Sequence, residues 1–157
     1  MHRPARRFRH VRSAAAVKLG PLHHVAIAVP HIEEALPFFR DTLGFSADRI
    51  HELADQHVRV VFVGDARQRI ELIEPTDRES GVAKFVADHP KPTLHHVCYV
   101  VEDLAGTLGQ LQRDGVELVD RVPRRGAEGM IAFIHPRASG GVLIELIDRA
   151  SLRDSIP

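Results

Sequence analysis

The 157-residue chain has a single cysteine, Cys98. One thiol excludes an intramolecular disulfide framework and a cysteine-built zinc site, and it fits a reducing compartment. No apolar run approaches the ~18 residues that mark a membrane span, so no membrane association is expected. Neither sign of charge is in excess, since 21 Lys and Arg balance 21 Asp and Glu. That balance is uneven along the chain. Residues 1–20 contain Arg3, Arg6, Arg7, Arg9, Arg12 and Lys18 and no acid, which leaves 15 basic against 21 acidic residues in 21–157. A body of net charge −6 is a poor ligand for nucleic acid, so none is expected as a partner. The basic leader is expected to be a disordered arm, with a translated upstream segment or an Arg-rich mitochondrial transit peptide as alternatives. A secretory signal is not expected, because Ala14-Ala15-Ala16-Val17 is too short an apolar stretch. The expected location is the cytoplasm, or the mitochondrial matrix if the leader is a transit peptide.

What the chain does have is a repeat. Leu22-His23-His24-Val25 recurs as Leu94-His95-His96-Val97, an offset of 72, and Ile70-Glu71-Leu72-Ile73 recurs as Ile144-Glu145-Leu146-Ile147, an offset of 74. Val60-Val61-Phe62 aligns with Ile131-Ala132-Phe133 and Gly44 with Gly115, both at 71. Matches in one order at nearly one offset mark a duplication.

Each copy predicts a strand, a helix and then further strands. Residues 25–29 form a short apolar run with β-branched residues, closed by Pro30. Ile32, Leu36, Phe39 and Leu43 follow at helical spacing, with Pro37 expected to kink that helix and Gly44 to end it. In the second copy Leu104, Leu108 and Leu111 form the stripe, Asp103 is the expected N-cap and Gly115 the stop. Apolar runs at 58–63 and 70–73, then at 116–119, 131–134 and 142–147, predict the remaining strands. The expected fold is therefore α+β, a βαβββ module used twice. One such half cannot cover its own sheet, so the two are expected to curl into a half-open barrel with the helices outside. The expected organisation is a leader at 1–20, one domain at 21–149 and a tail at 150–157. Module one covers 22–75, a linking helix capped by Ser80 covers 78–89, and module two covers 94–149.

The duplication also repeats a His–Glu pair, His24 with Glu71 and His96 with Glu145. A pseudo-twofold axis between the halves would bring all four to one point. Two imidazoles and two carboxylates make a mixed N/O site for a divalent cation such as Mn, Fe, Co, Ni or Zn. Both glutamates interrupt apolar strands, where an unpaired carboxylate costs several kcal/mol, so a positive partner is expected to face them. His23 and His95 are expected on the opposite strand face.

These motifs resemble those of the vicinal oxygen chelate (glyoxalase/bleomycin resistance) superfamily, most closely its methylmalonyl-CoA epimerase branch. The resemblance is carried by the two Leu-His-His-Val tetrads, Ile70-Glu71-Leu72-Ile73-Glu74-Pro75 and Val82-Ala83-Lys84-Phe85. It continues in Phe133-Ile134-His135-Pro136 and Gly140-Gly141-Val142-Leu143-Ile144-Glu145-Leu146. It implies a glyoxalase-like fold, a homodimer, and His24, Glu71, His96 and Glu145 as the metal ligands. It further implies an isomerase that removes and returns the proton at C2 of methylmalonyl-CoA or a similar branched malonyl-type acyl-CoA. Glu145 is then expected as one base and Glu71 as the candidate for the other. Some members of the branch carry a non-ligand glutamate as second base, and the aligned position here is Val60. The alternatives are a glyoxalase I-like lyase acting on a glutathione hemithioacetal, and a ligand-binding resistance protein. His135-Pro136 argues against the lyase, because glyoxalases resemble an Asp-Pro-Asp-Gly pattern there.

Overall fold

The structure is a computed structural model that describes residues 15–153. The described chain forms two compact units, one of residues 23–97 and one of residues 98–153 with 15–22. Residues 1–14, most of the expected leader, and 154–157, the end of the expected tail, lie outside the described residues.

The first unit is built from β1 (Leu22–Ala28), α1 (Ile32–Pro37), β2 (His51–Leu53), β3 (Val58–Gly64), β4 (Arg69–Pro75), α2 (Gly81–Asp88) and the first half of β5 (Thr93–Val101). Its strands run in the order β2-β3-β4-β1. β1 lies parallel to β4, with Ala26 opposite Glu71, whereas β3 pairs antiparallel with both β2 and β4. Val29, Ile32, Val61 and Leu72 are fully enclosed and form the core against which Leu36 and Phe39 pack. Burying each large aliphatic side chain contributes ~1.5–3 kcal/mol. The effect of Pro37 is visible in the backbone. α1 ends at Pro37 and the chain continues as a π-helical turn over Phe38–Thr42. Proline lacks the N–H of a regular turn and its ring crowds the preceding one, so the helix relaxes at this point. Gly44 and Gly115 end their helices at φ 73° and 74°, a left-handed conformation that favours glycine.

The second unit contains the rest of β5, α3 (Leu104–Arg113), β6 (Arg124–Arg125), β7 (Met130–Ile134) and β8 (Leu143–Asp148). β8, β7 and β6 are neighbours in that order, and both pairings are antiparallel. The expected stripe of α3 is the core face, with Leu104, Leu108 and Leu111 packed on Ala132, Ile134 and Leu146. Asp103 caps the helix by accepting the Gly106 N–H at 2.9 Å.

Residues 116–119 do not form the expected strand. Only one bridge joins Leu118 to Ile134, and both Val119 and Asp120 direct their N–H groups at the Phe133 carbonyl. One acceptor shared by two successive donors breaks the ladder, and the extra strand of this unit is instead the two-residue β6. Residues 15–21 have no regular structure but are tied down. The Gly20 N–H donates to Val100 O, the Val100 N–H donates to Pro21 O, and Val17 packs on the core beside α3. Among the described residues no helix is long and apolar enough to cross a membrane.

Candidate metal centre

Among the described residues, the buried polar or charged side chains are His24, Glu71, His96 and Glu145, the four expected ligands. His24 lies in β1, Glu71 in β4 and His96 in the first half of β5, so all three belong to the first unit. Their donor atoms converge. His24 Nε2 is 3.3 Å from His96 Nε2 and 3.6 Å from Glu71 Oε2, and His96 Nε2 is 3.5 Å from the same oxygen. A cation bound at ~2.1 Å needs ligand atoms about 3.0 Å apart at right angles and about 3.4 Å apart at tetrahedral angles. The three atoms are therefore spaced to hold one ion. Two imidazole nitrogens with a carboxylate oxygen suit a divalent transition metal.

Glu145 belongs to the second unit, in β8. Its surroundings repeat those of Glu71. Glu71 stands opposite Phe62 across the β4–β3 ladder, and Glu145 stands opposite Phe133 across the β8–β7 ladder. Each of these rings has a guanidinium over it, Arg69 on Phe62 at 4.6 Å and Arg124 on Phe133 at 5.3 Å. Phe62 also packs edge-on against the His24 ring, with centroids 5.3 Å apart.

Two contacts at this centre depart from the expected strand alternation. The Nδ1 atoms of His23 and His24 are 2.8 Å apart, and so are those of His95 and His96. Neighbouring side chains on a strand leave from opposite faces. The ring centroids of each pair lie 5.1 Å apart, with the ring planes at 74° and 76° to one another. The signal for these residues was the duplication itself, which repeats His23 along with His24.

Residues 23–133 match the sequence model of the Glyoxalase/Bleomycin resistance protein/Dioxygenase superfamily. The chain belongs to this superfamily. It is 35% identical over 135 residues to the mitochondrial methylmalonyl-CoA epimerase of Mus musculus, which covers 85% of this chain and 76% of the mouse protein. Of solved structures, it is similar to the methylmalonyl-CoA epimerase of Mycobacterium tuberculosis, at 34% identity and a TM-score of 0.77 over 88% of this chain and 93% of that one. It is likewise similar to a variant of the Streptomyces coelicolor methylmalonyl-CoA epimerase in complex with 2-nitronate-propionyl-CoA. There the identity is 28% and the TM-score 0.78, over 87% of this chain and 99% of that one. The superfamily's glyoxalase-like α+β fold, paired βαβββ modules, is thus the fold of this chain.

Within that superfamily frame the remaining positions take definite places. Val60 lies two residues before Phe62 on β3, shares its face and is buried, so the side chain there is apolar. Arg124 pairs with Asp120 at 3.1 Å and Arg137 with Glu117 at 3.1 Å. Cys98 is fully buried in β5, as expected of a small core side chain.

Proposed function

We propose that the protein is a methylmalonyl-CoA epimerase, acting on methylmalonyl-CoA or a similar branched malonyl-type acyl-CoA. The observation that carries this reading is the convergence of His24, Glu71 and His96 within 3.3–3.6 Å in a chain whose relatives bear that name. His24, Glu71 and His96 would hold a divalent cation (Co, Mn, Ni, Zn or Fe), with Glu145 as the fourth ligand on the strength of its place in the repeat. A cation held there would supply Lewis-acid stabilisation of negative charge developing on the substrate oxygens.

The chain's own residues do the rest. Glu145 takes the C2 proton as a carboxylate, and a second acid returns one to the opposite face. Val60 cannot serve, which leaves Glu71 as the candidate for that second group. Phe62, buried edge-on against the His24 ring, would shield that side of the centre from water and so strengthen its electrostatic contacts. The protein is further proposed to be a cytoplasmic homodimer, consistent with a strand order that ends in β2 and β6, whose open edges need covering.

The test is interconversion of the two C2 epimers of methylmalonyl-CoA by purified protein, with a glutathione hemithioacetal as the parallel substrate. Epimerisation alone supports the proposal. Turnover of the hemithioacetal without epimerisation would transfer the site to glyoxalase-type chemistry.

A further inference from the structure

The repeated Nδ1–Nδ1 contact has a chemical consequence. Two aromatic nitrogens 2.8 Å apart need one proton between them, because two lone pairs would repel and two N–H groups would clash. His24 and His96 aim their Nε2 atoms at the same point as Glu71 Oε2. A nitrogen that binds a cation presents its lone pair, so the ring proton of each of these residues sits on Nδ1. The proton in each short contact then belongs to the ligand histidine, and the neighbouring histidine is the acceptor.

We propose that His23 and His95 are positioning residues for the metal centre. Each accepts at Nδ1 the Nδ1–H of the following histidine, and so fixes the tautomer and rotation that turn the Nε2 atoms of His24 and His96 toward one ion. This rests on the metal reading given above. Metal-binding histidines ordinarily donate their other N–H to a carboxylate, a carbonyl or water. Here a neutral imidazole takes that place twice. The geometry is nearly identical in the two copies, with ring centroids 5.1 Å apart in both and interplanar angles of 74° and 76°. His95 is itself braced, because Phe85 of α2 meets its ring edge-on at 4.8 Å. The Phe85 ring in turn stacks on His89 at 4.3 Å. A packing role alone would ask only for a flat ring at positions 23 and 95. A positioning role requires an acceptor at Nδ1.

Zn²⁺ alone serves as the probe. Competition against a fluorescent chelator gives its dissociation constant for wild type, His23→Phe, His95→Phe and His23→Asp. Phenylalanine keeps the ring and removes the acceptor, so each Phe variant should bind Zn²⁺ about 10- to 100-fold more weakly. Aspartate restores an acceptor, so His23→Asp should bind at least as tightly as the better of the two Phe variants and approach wild type. Long-range ¹⁵N–¹H spectra of the Zn²⁺-loaded wild type should show His24 and His96 protonated at Nδ1, and His23 and His95 protonated at Nε2. That spectrum decides the matter even if a Phe variant fails to fold. Wild-type affinity in folded His23→Phe and His95→Phe, or a proton on Nδ1 of His23 and His95, would overturn the inference. A wild-type protein that binds no Zn²⁺ at His24, Glu71 and His96 would overturn the metal reading beneath it.

Discussion

At the scale of single residues, the centre is defined by what it costs to bury charge. A carboxylate enclosed in apolar strands is destabilising by several kcal/mol unless something cationic faces it. Glu71 and Glu145 are both enclosed, and both sit in the same Ile-Glu-Leu-Ile sequence. If Glu145 is a general base, Glu145→Gln keeps most of the bound metal but lowers turnover at least ~100-fold, the scale usual for such a group. Steady-state kinetics together with metal analysis of the same preparation checks both halves of that statement. Glu71→Gln separates the two roles assigned to Glu71. Loss of proton exchange with metal retained identifies it as the second base, and full exchange leaves it a ligand only. The four enclosed residues were legible in the sequence because the repeat shows each pair twice. The partners of His23 and His95 were not, because side-chain alternation along a strand does not reveal that the Nδ1 atoms of sequence neighbours can come within 2.8 Å.

At the scale of elements, the short helix α2 reaches the neighbour of a proposed ligand, since its Phe85 ring meets His95 edge-on. Its start is held by two side chains. Ser80 Oγ accepts the Ala83 N–H at 3.0 Å, and the Asp77 carboxylate accepts the N–H groups of Glu79 at 2.9 Å and Ser80 at 3.1 Å. Ser80→Ala should cost about 1 kcal/mol in urea unfolding, the usual value of a lost cap. The bond from the Glu79 N–H, with smaller help from that of Ser80 and from His57, holds the Asp77 carboxyl below its ordinary value of 3.8. A depressed folded value stabilises the protein above the unfolded value and loses that stabilisation as pH falls through the folded one. Wild type should therefore be more stable than Asp77→Asn at neutral pH, and the gap should close as pH falls below about 4. A gap that persists unchanged at low pH would contradict the assignment.

Helix signals carried over well from sequence to structure at this scale. Asp103 and Ser80 cap where expected, Gly44 and Gly115 stop where expected, and α3 buries its leucine stripe. The strand at 116–119 did not carry over. Its apolar residues suit a strand, but Val119 lies half exposed beside a shared carbonyl, and pairing is decided by partners far along the chain. The opposite error occurs at β2, where His51-Glu52-Leu53 shows no strand pattern yet pairs with β3.

At the scale of the molecule, the division into units does not follow the repeat. β5 opens the second copy of the sequence, yet its first half, with His96, belongs to the unit that contains His24 and Glu71. The three converging donors are therefore held within one compact unit. Glu71→Ala should accordingly lower metal content sharply while leaving the fold in place, which metal analysis alongside circular dichroism measures. Association is the second property at this scale. Sedimentation at micromolar concentration should give twice the mass of one chain, and a single-chain mass would contradict the proposed homodimer.

The proposed reaction is proton removal at C2 of a malonyl-type thioester beside a cation held by His24, Glu71 and His96. Its most direct test is deuterium incorporation at C2 of methylmalonyl-CoA in deuterated water, followed with and without a chelator. Rapid exchange is expected, stopping when the chelator strips the metal and returning when a divalent cation is restored. No exchange in the metal-loaded protein, or exchange indifferent to the chelator, would contradict it.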